Sequence, residues 1–340
     1  MHGFTRRQTV QTALTIGAVD VPGFDRATMD GYAVVPDTTD GATPYNPISL
    51  TVVGDSMPGS PCPRAMAPGE AVRIMTGAPM PEGADSVVPV ESIETGDTVT
   101  GRVAAIGPVS RGKNVGHRGE DIRAGSTLLD AGRMIRPQDV GLMSSIGVAQ
   151  ATVVRRPRVP LVVTGNEVLP SGSPPEGYRI TDANGPMLAA LAERDGACVD
   201  FPGLVPDEAG TILAALHADA DAIIVSGGSS VGIEDLAPTL VAGHGELAVH
   251  GIAMRPSSPT GMGRIGDRLV FLLPGNPVSA LCASDFFAGR AIRVLGGRPA
   301  AWPYRMIRAT LVRKISSPIG RLDYARVRVA DGRVEPLSVP

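Results

Sequence analysis

Aromatic residues, cysteines and long apolar stretches are all scarce in this chain of 340 residues. Aromatic residues make up 4% of it, the 3 cysteines form no CxxC pair, and no apolar run reaches the roughly 20 residues of a membrane span. Widely spaced cysteines, odd in number, are typical of a reducing compartment rather than of a disulfide framework. The first residues are too weakly apolar for a secretion signal. We therefore expect a cytoplasmic protein that does not bind membranes.

The chain also has no large excess of charge of one sign, because 31 basic and 34 acidic residues leave a net charge of -3. No stripe of Lys and Arg alternates with aromatic residues, so binding to nucleic acid is not expected. The 5 histidines are neither paired at ligand spacing nor placed to form a triad with Ser or Cys. A zinc site and nucleophilic catalysis are therefore disfavoured.

Glycine and proline are abundant instead, at 42 and 31 residues, among apolar runs that persist along the chain. This length and composition indicate a loop-rich globular protein of two to four domains, with a multi-domain α/β plus β fold. Changes in the local pattern of apolar and turn-forming residues separate an N-terminal and bridging segment, a small β-rich domain, an α/β domain and a short C-terminal β domain. Their predicted bounds are 1–23 with 116–156, 24–115, 157–297 and 298–340.

Local signals predict the elements of these parts. Turn signals between short β-rich pieces predict a small antiparallel β domain. Residues 1–20 show a short helical pattern with Thr9 as a candidate cap, and Pro137 and Gly147 mark the predicted ends of a bridging helix. From residue 157 onward strands alternate with helices, which predicts an α/β sandwich with a mostly parallel sheet and ligands at the carboxyl ends of its strands.

Three apolar strands of this α/β domain run straight into loops of Gly, Pro and small polar residues. Their sequences are LVVTGNEVLP at 161–170, AIIVSGGSSVG at 222–232 and LVFLLPGNPVSAL at 269–281. A parallel strand followed by such a loop and a helix presents backbone N–H groups to an anion. The three loops therefore predict one phosphate-binding crevice.

The second loop carries the strongest phosphate signal. Gly227 and Gly228 allow close backbone approach, Ser229 and Ser230 add hydroxyl groups, and Asp235 follows in the next turn. The loop has neither the Walker lysine nor the GxGxxG spacing, so ATPase and dinucleotide sites are not supported.

The other two loops add polar groups to the same crevice. Glu167 follows the first strand directly, and Asn276 supplies side-chain donors after the third. Pro274 and Pro277 stiffen the third loop around Gly275, and Pro277 stands where a helix begins without needing its N–H.

Two further carboxylates have structural and functional interpretations that the residues leave open. Asp182 precedes a helix predicted to start near Met187, and either it or Asn184 is an N-cap or a ligand-binding residue. Asp30, in the turn of FDRATMDGYAV, is either an Asx-type cap or a metal-binding or electrostatic carboxylate.

Two more loops leave the same choice. Thr76 offers a hydroxyl at a strand end in MTGAPMPEGAD, which also reads as a plain turn. Asp121 and Glu120 lie between Arg118 and Arg123, as in a solvated charge cluster. Carboxylates beside Gly-rich loops suit a divalent hard cation that bridges a phosphorylated ligand.

Seven motifs in order resemble the molybdopterin molybdenumtransferase family, called MoeA in bacteria and the gephyrin E domain in animals. They are FDRATMDGYAV, VRIMTGAPMPEGADSVVPVE, GEDIRAG, TGNEV, ITDANGPML, GGSSVG and LPGNPVSAL, and the resemblance spans about residues 22–330. It implies an elongated, dimeric subunit of four domains with a molybdopterin-binding-like α/β domain. It also implies the reaction of adenylylated molybdopterin with molybdate to give molybdenum cofactor, AMP and water, assisted by Mg²⁺.

The resemblance also implies roles for individual residues. It implies that five residues are used for activity or ligand binding: Asp30, Thr76, Asp121, Glu167 and Asp235. In the family's dimer, Asp30 would come from the partner subunit's side of a shared cleft. We place Mg²⁺ near Glu167 and Asp235 as a hypothesis. The residues matched to the pterin and phosphate cradle are Gly227, Gly228, Ser229, Ser230, Asp182, Asn184, Arg255, Ser258, Pro274, Gly275, Asn276 and Pro277.

The chain departs from the family's pattern in one loop and at both ends. Where many members read RPGKP, residues 255–259 read RPSSP, so a lysine expected to attract phosphate or molybdate is missing. We expect Arg255 to supply the positive charge, with help from Arg321 or Arg326. About 20 residues precede the first motif and the chain ends at Pro340, so shortened first and last domains are expected.

These departures keep two alternatives open. One is a catalytically weakened paralogue that binds molybdopterin or its nucleotide as a carrier or scaffold. The other is an adenylyltransferase or another nucleotide-binding enzyme that shares only the domain at 157–297. In the leading interpretation the partners are a second copy of the chain, a molybdopterin adenylyltransferase and the molybdoenzymes that receive the cofactor.

Overall fold

A computed structural model describes residues 9–11, 14–15, 19–35, 37–95, 101–227 and 236–337. In chain order the strands before residue 130 are β1 (Thr9–Val10), β2 (Leu14–Thr15), β3 (Arg26–Ala27), β4 (Gly31–Val34), β5 (Ile48–Ser56), β6 (Glu70–Ile74), β7 (Ser86–Pro89), β8 (Ile93–Thr95), β9 (Arg102–Ala105), β10 (Val115–Gly116) and β11 (Thr127–Leu129).

The remaining elements include the helices and a π-helical segment. They are α1 (Pro137–Ser145), β12 (Val153–Val154), β13 (Arg158–Thr164), β14 (Val168–Leu169), β15 (Ile180–Thr181), α2 (Asn184–Asp195), β16 (Cys198–Asp200), β17 (Leu204–Val205), α3 (Ala209–Leu216), β18 (Ala222–Ser226), α4 (Leu236–His244), β19 (Glu246–His250), β20 (Met254–Arg255), β21 (Gly261–Ile265), β22 (Arg268–Leu273), α5 (Pro277–Ala283), the π-helical segment Ser284–Ala288, α6 (Gly289–Leu295), β23 (Thr310–Leu311), β24 (Leu322–Asp323), β25 (Val327–Ala330) and β26 (Arg333–Pro336).

The chain divides into a large unit and a small unit. The large unit contains residues 1–12, 130–141 and 150–340, and the small unit contains residues 13–129 and 142–149. The finer division into four domains stays a prediction.

The small unit is built on a six-stranded sheet in the order β7-β4-β6-β5-β9-β8. Its strands pair antiparallel except for β5 and β6, which run parallel. The prediction of an antiparallel domain was wrong at that pair, because the connection at 57–69 returns the chain to the same end of the sheet. Buried side chains cover both faces, with Leu50 on one and Ile74 on the other.

The large unit is built on a seven-stranded sheet in the order β16-β13-β18-β22-β21-β19, with β17 also paired to β13. Strands β13, β16, β17, β18 and β22 are parallel, while β21 and β19 join antiparallel at one edge. Alternation along β13 places Leu161 among residues of α2, α5 and α6, and Val162 among residues of α3 and α4. The predicted sandwich with a mostly parallel sheet is confirmed.

The N-terminal prediction was wrong in the described part of residues 1–20. Thr9 and Val10 form β1, which pairs antiparallel with Val154 and Val153 of β12. Thr9 and Val10 are buried, and β-branched side chains favour a strand once a partner strand is available. A short amphipathic pattern did not decide the conformation here.

Local end signals were reliable further along the chain. The bridging helix α1 begins at Pro137 as predicted, and Gly147 with a φ of 75° follows its end.

After α6 the chain forms the three-stranded sheet β23-β26-β25, and β24 pairs with β20. None of the helices in the described part of the chain is long and apolar enough to cross a membrane.

Candidate functional site

Three neighbouring parallel strands of the large unit end at the same edge of the sheet. Val163 of β13 is in register with Ser226 of β18, which is in register with Leu273 of β22. The described residues that directly follow these strands, Gly227 among them, therefore lie close together, as the sequence predicted for a parallel sheet. They line a cavity of about 280 Å³, here called the strand-end cavity.

The strand-end cavity is acidic. Glu167 and Asp182 are the charged residues of its described lining, and both are carboxylates. The uncharged polar side chains of its wall are Thr164, Thr181, Asn184, Ser226 and Asn276. A wall of this kind favours hydrogen-bond donors or a cation, and it disfavours a phosphate group that brings no cation with it.

Asn184 is held rigidly in this wall. It is 7% exposed, and its Nδ2 donates to Ser226 Oγ at 2.9 Å and to the Gly275 carbonyl oxygen at 2.8 Å. Its buried Oδ1 accepts no hydrogen bond from the described residues. Asn184 thus ties two of the strand-end loops together and is the first residue of α2 rather than its cap.

Asp182 takes the capping role that the sequence left open. Its Oδ1 accepts the backbone N–H of Gly185 at 2.9 Å, in the first turn of α2. The helix begins at Asn184 instead of near Met187 because this hydrogen bond satisfies one of its free N–H groups. Asp182 is 6% exposed and also lines the strand-end cavity.

Gly227 shows why the second loop needs glycine. Its φ is 92°, and a Cβ there would overlap the carbonyl oxygen of Thr164. Thr164 in turn donates its hydroxyl to Asp207 Oδ1 at 2.8 Å. Asp207 was missed in the sequence because it follows the two-residue strand β17, whose pattern is too short to predict.

A second cavity of about 280 Å³, here called the basic cavity, adjoins the third loop. Arg255 and Arg326 are its charged lining residues, and the others include Tyr324 and Val278. Asn276 lines both cavities. The two cavities therefore have opposite charge and share one residue.

Asn276 is oriented by the helix that follows it. Its Oδ1 accepts the backbone N–H groups of Val278 at 3.1 Å and Ser279 at 3.2 Å, so it is the N-cap of α5, and Pro277 is the first residue of that helix as predicted. Because the oxygen faces the helix, the Nδ2 donors face away from it. Pro274 is buried beside this loop, next to Gly275.

Arg255, which the sequence predicted as the source of positive charge, is paired with an acidic residue. Its Nε and Nη2 lie 3.2 and 3.5 Å from the two carboxylate oxygens of Asp323, whose side chain is 4% exposed. The Ser317 hydroxyl, and after it Arg255, hold the pKa of Asp323 below its ordinary value. The pair stays ionised, and it offsets much of the charge that was expected to replace the missing lysine.

The two serines of this departure differ in their surroundings. Ser257 is buried and donates its hydroxyl to the Ser279 carbonyl oxygen at 2.6 Å, so it is not free to bind a ligand. Ser258 is exposed. Only Ser258 remains available from the pair.

In the small unit, the structure brings Asp30 and Thr76 together. Asp30 Oδ1 accepts the backbone N–H and the hydroxyl of Thr76, both at 2.7 Å. These two donors lower the pKa of Asp30, the backbone N–H more than the hydroxyl. Asp121 lies in a different group, where Arg26 Nη2 is 3.7 Å from Asp121 Oδ2 and 3.8 Å from Glu120 Oε1.

Four predicted residues, Gly228, Ser229, Ser230 and Asp235, lie outside the described residues. The hypothesis that Glu167 and Asp235 hold Mg²⁺ stays a prediction, and of the two residues the structure describes Glu167, which is exposed at the strand-end cavity. The described part of the chain contains no group of three or more His, Cys, Asp or Glu side chains that could hold a metal. Its carboxylates still fit Mg²⁺, which is usually held by one or two of them together with water and substrate phosphates.

Comparison with known proteins agrees with these features. Residues 9–147 match the family described as the MoeA N-terminal region, domains I and II, and residues 161–293 match a probable molybdopterin binding domain. Molybdopterin molybdenumtransferase 2 of Mycobacterium tuberculosis is 38% identical over 323 residues, which cover 92% of this chain and 78% of that protein. A molybdopterin molybdenumtransferase of Staphylococcus aureus is 32% identical over 302 residues, 87% of this chain and 71% of its own.

The fold is also similar to that of solved structures of proteins from the same family. Two crystal structures of the molybdopterin biosynthesis moeA protein from Pyrococcus horikoshii superpose with TM-scores of 0.81 and 0.80, at 30% and 26% sequence identity, and each match covers 98% of this chain and 83% of the other. Because sequence and fold agree over most of its length, the chain belongs to the MoeA family of molybdopterin molybdenumtransferases, enzymes of molybdenum cofactor biosynthesis.

Proposed function

We propose that this enzyme inserts molybdenum into adenylylated molybdopterin, with molybdate as the second substrate, molybdenum cofactor, AMP and water as products, and Mg²⁺ assisting. The observation that supports this most directly is the pair of cavities of opposite charge that share Asn276. A substrate that joins a donor-rich pterin to phosphates, together with a second anionic substrate, matches such a pair of cavities.

In this proposal the strand-end cavity receives the pterin and its phosphate. Asp182 and the wall around Asn184 accept hydrogen bonds from the pterin's amino and ring N–H groups, while Gly227 and Gly275 allow the backbone to come close. Asn276 directs its Nδ2 donors toward an oxygen at the junction of the two cavities. When bound at Glu167 and Asp235, Mg²⁺ neutralises charge that develops on the phosphates as the anhydride is cleaved.

The basic cavity receives molybdate. Arg326 and the partly neutralised Arg255 attract the dianion, and exposed Ser258, in the same loop as Arg255, is a further candidate donor. We further propose that the enzyme works as a homodimer with Asp30, Thr76 and Asp121 contributing to activity. Molybdopterin adenylyltransferase would supply its substrate and molybdoenzymes would take its product.

The test is AMP release from adenylylated molybdopterin by the purified protein, with and without molybdate and Mg²⁺. We expect release that depends on both ions, and we expect Glu167→Gln to abolish it because the variant loses a carboxylate at the proposed metal site. Glu176→Gln is the control, since Glu176 is exposed and lines neither cavity. Normal turnover by Glu167→Gln would contradict the metal assignment.

One observation favours a second candidate, a carrier or scaffold that holds the pterin nucleotide without converting it. The pairing of Arg255 with Asp323 leaves less charge for molybdate than a free lysine would, and the Ser257 hydroxyl, which donates within the protein, is not available as a donor. Tight binding without AMP release would support this candidate. Absence of binding would contradict both.

A further inference from the structure

The π-helical segment Ser284–Ala288 stands between α5 and α6, where an α-helix would otherwise run on. A π-turn holds an additional residue and is rare, and it is often found at functional sites. In this segment two consecutive residues, Asp285 and Phe286, both contact the part of the chain that follows α6.

Asp285 contacts that part of the chain through hydrogen bonds. Its carboxylate, 1% exposed, accepts the Tyr304 hydroxyl, with its two oxygens 2.9 and 2.8 Å away. Arg194 Nη2 of α2 donates to the same carboxylate at 2.9 Å. A buried carboxylate with a guanidinium and a hydroxyl as donors is a strong anchor for the residue that provides the hydroxyl.

Phe286 contacts the same part of the chain through aromatic rings. Its centroid lies 4.7 Å from that of Trp302 and 5.6 Å from that of Tyr324, both edge to face. Such pairs add to the stability that burial alone provides. The segment therefore holds three aromatic residues that come after residue 297.

One of these rings belongs to the wall of the basic cavity. Tyr324 and Arg326 line that cavity, and the Tyr324 N–H donates to the Arg255 carbonyl oxygen at 2.8 Å. The pairing of β20 with β24, the Arg255–Asp323 ion pair and the Leu337 N–H that donates to the Arg326 carbonyl oxygen also support this wall. A strand pair of two residues is marginal alone, so the ring contact of Phe286 with Tyr324 adds to the support, and Asp285 anchors Tyr304 in the same stretch of chain.

We propose that Asp285 and Phe286 are positioning residues that hold the Arg326 wall of the basic cavity and so set its affinity for a tetrahedral oxyanion. Neither residue lines the cavity. The inference rests on the proposed function in one respect, which is that the oxyanion is molybdate.

The experiment measures molybdate binding to the purified full chain by calorimetry. We expect Phe286→Leu and Tyr304→Phe to raise the molybdate Kd about threefold to tenfold, because the first removes the ring contact to Tyr324 of the wall and the second removes the hydrogen bond by which Asp285 anchors the chain that leads to the wall. The KM for molybdate should rise by a similar factor while the KM for adenylylated molybdopterin stays unchanged. Matched controls are Phe24→Leu and Tyr45→Phe, whose parent residues are exposed in the small unit.

Hydrogen exchange provides a measurement that does not depend on molybdate. The amides of Leu322 and Tyr324 donate to the carbonyl oxygens of Ala253 and Arg255, and their exchange should become faster in both variants. The amides of β18 should be unaffected. If wild type does not bind molybdate, the ligand in the proposed function is wrong, and the exchange rates still decide whether these residues hold the wall.

Two results would overturn the inference. One is unchanged exchange at Leu322 and Tyr324 in both variants. The other is a molybdate Kd within twofold of wild type together with a lower unfolding temperature, because a purely structural role produces that combination.

Discussion

At the scale of single residues, hydrogen bonds from a neighbouring turn stabilise the ionised carboxylate of Asp30. Two donors from Thr76 meet one oxygen of Asp30, and the carboxyl remains exposed. Hydrogen bonds to the ionised form lower the pKa of the carboxyl even where burial adds little. The two donors stabilise the ionised form of Asp30, which is the form that an electrostatic or metal-binding role requires.

Removing one of the two donors tests this account. In Thr76→Val the hydroxyl is lost and the backbone N–H remains, so the pKa of Asp30 should rise part of the way toward the ordinary 3.8. Since the folded-state pKa is lowered, the contribution of Asp30 to stability is present above that ordinary value and is lost as the pH falls through the folded value. NMR titration of the Asp30 carboxyl measures the change, with Thr51→Val at an exposed position as control. An unchanged pKa would show that the hydroxyl contributes nothing.

At the scale of elements, the start of α1 combines a proline, a cap and an ion pair. The carboxylate of Asp139 accepts the backbone N–H of Arg136 at 2.9 Å and lies 2.9 Å from Arg133 Nη2 and 3.2 Å from Arg136 Nε. An acidic residue in the third helical position that accepts the N-cap N–H is half of a capping box. With Pro137 at the first position, this explains why the helix begins where the sequence predicts.

The same carboxylate predicts a dependence of stability on pH. The Arg136 side chain, and then the Arg136 N–H and Arg133, lower the pKa of Asp139 from 3.8 to about 2 against the opposing effect of burial. We expect Asp139→Asn to reduce the free energy of unfolding by about 2 kcal/mol at pH 7. The difference from wild type should shrink as the pH falls from about 4 to about 2.

Urea unfolding at a series of pH values measures this difference. Asp130→Asn is the control, because Asp130 is exposed and precedes the helix. A difference that stays constant down to pH 2 would rule out the ion pair as its cause.

At the scale of the whole molecule, a buried ionic network joins parts of the large unit that are distant in sequence. Asp195 is fully buried between Arg293 Nη1 at 2.6 Å and Arg194 Nη2 at 2.7 Å. Arg194 continues the network to Asp285 and Tyr304. The network connects the end of α2, the π-helical segment, α6 and the chain beyond it.

Breaking this network should cost far more than breaking a surface ion pair. In Asp195→Asn the buried Arg293 guanidinium loses its ionised partner, and we expect the free energy of unfolding to fall by about 3 kcal/mol. Glu246→Gln breaks the exposed pair with Arg264 and should cost less than about 1 kcal/mol. Chemical denaturation of both variants measures the contrast, and equal losses would contradict the special role of the buried group.

Much of the candidate site could be predicted because parallel strands obey a simple rule. The rule that ligand loops meet at the carboxyl ends of such strands correctly brought Glu167, Asp182 and Asn276 to one cavity. It did not show that this cavity is acidic, since charge depends on which side chains turn inward. Asp207 and Asp323 were missed because each follows or occupies a strand of two residues.

By itself, the sequence determined the elements whose signals lie within a few residues, such as the start of α5 at Pro277 and the strands that alternate with helices. It also carries the ordered motifs that identify the family. Only the tertiary structure decided which charges neutralise one another. Arg255 meets Asp323 across 68 positions and Arg293 meets Asp195 across 98, and local patterns do not record which distant groups become buried together. The proposed chemistry depends on positive charge at the basic cavity. That Asp323 offsets part of this charge was therefore visible only in the folded chain.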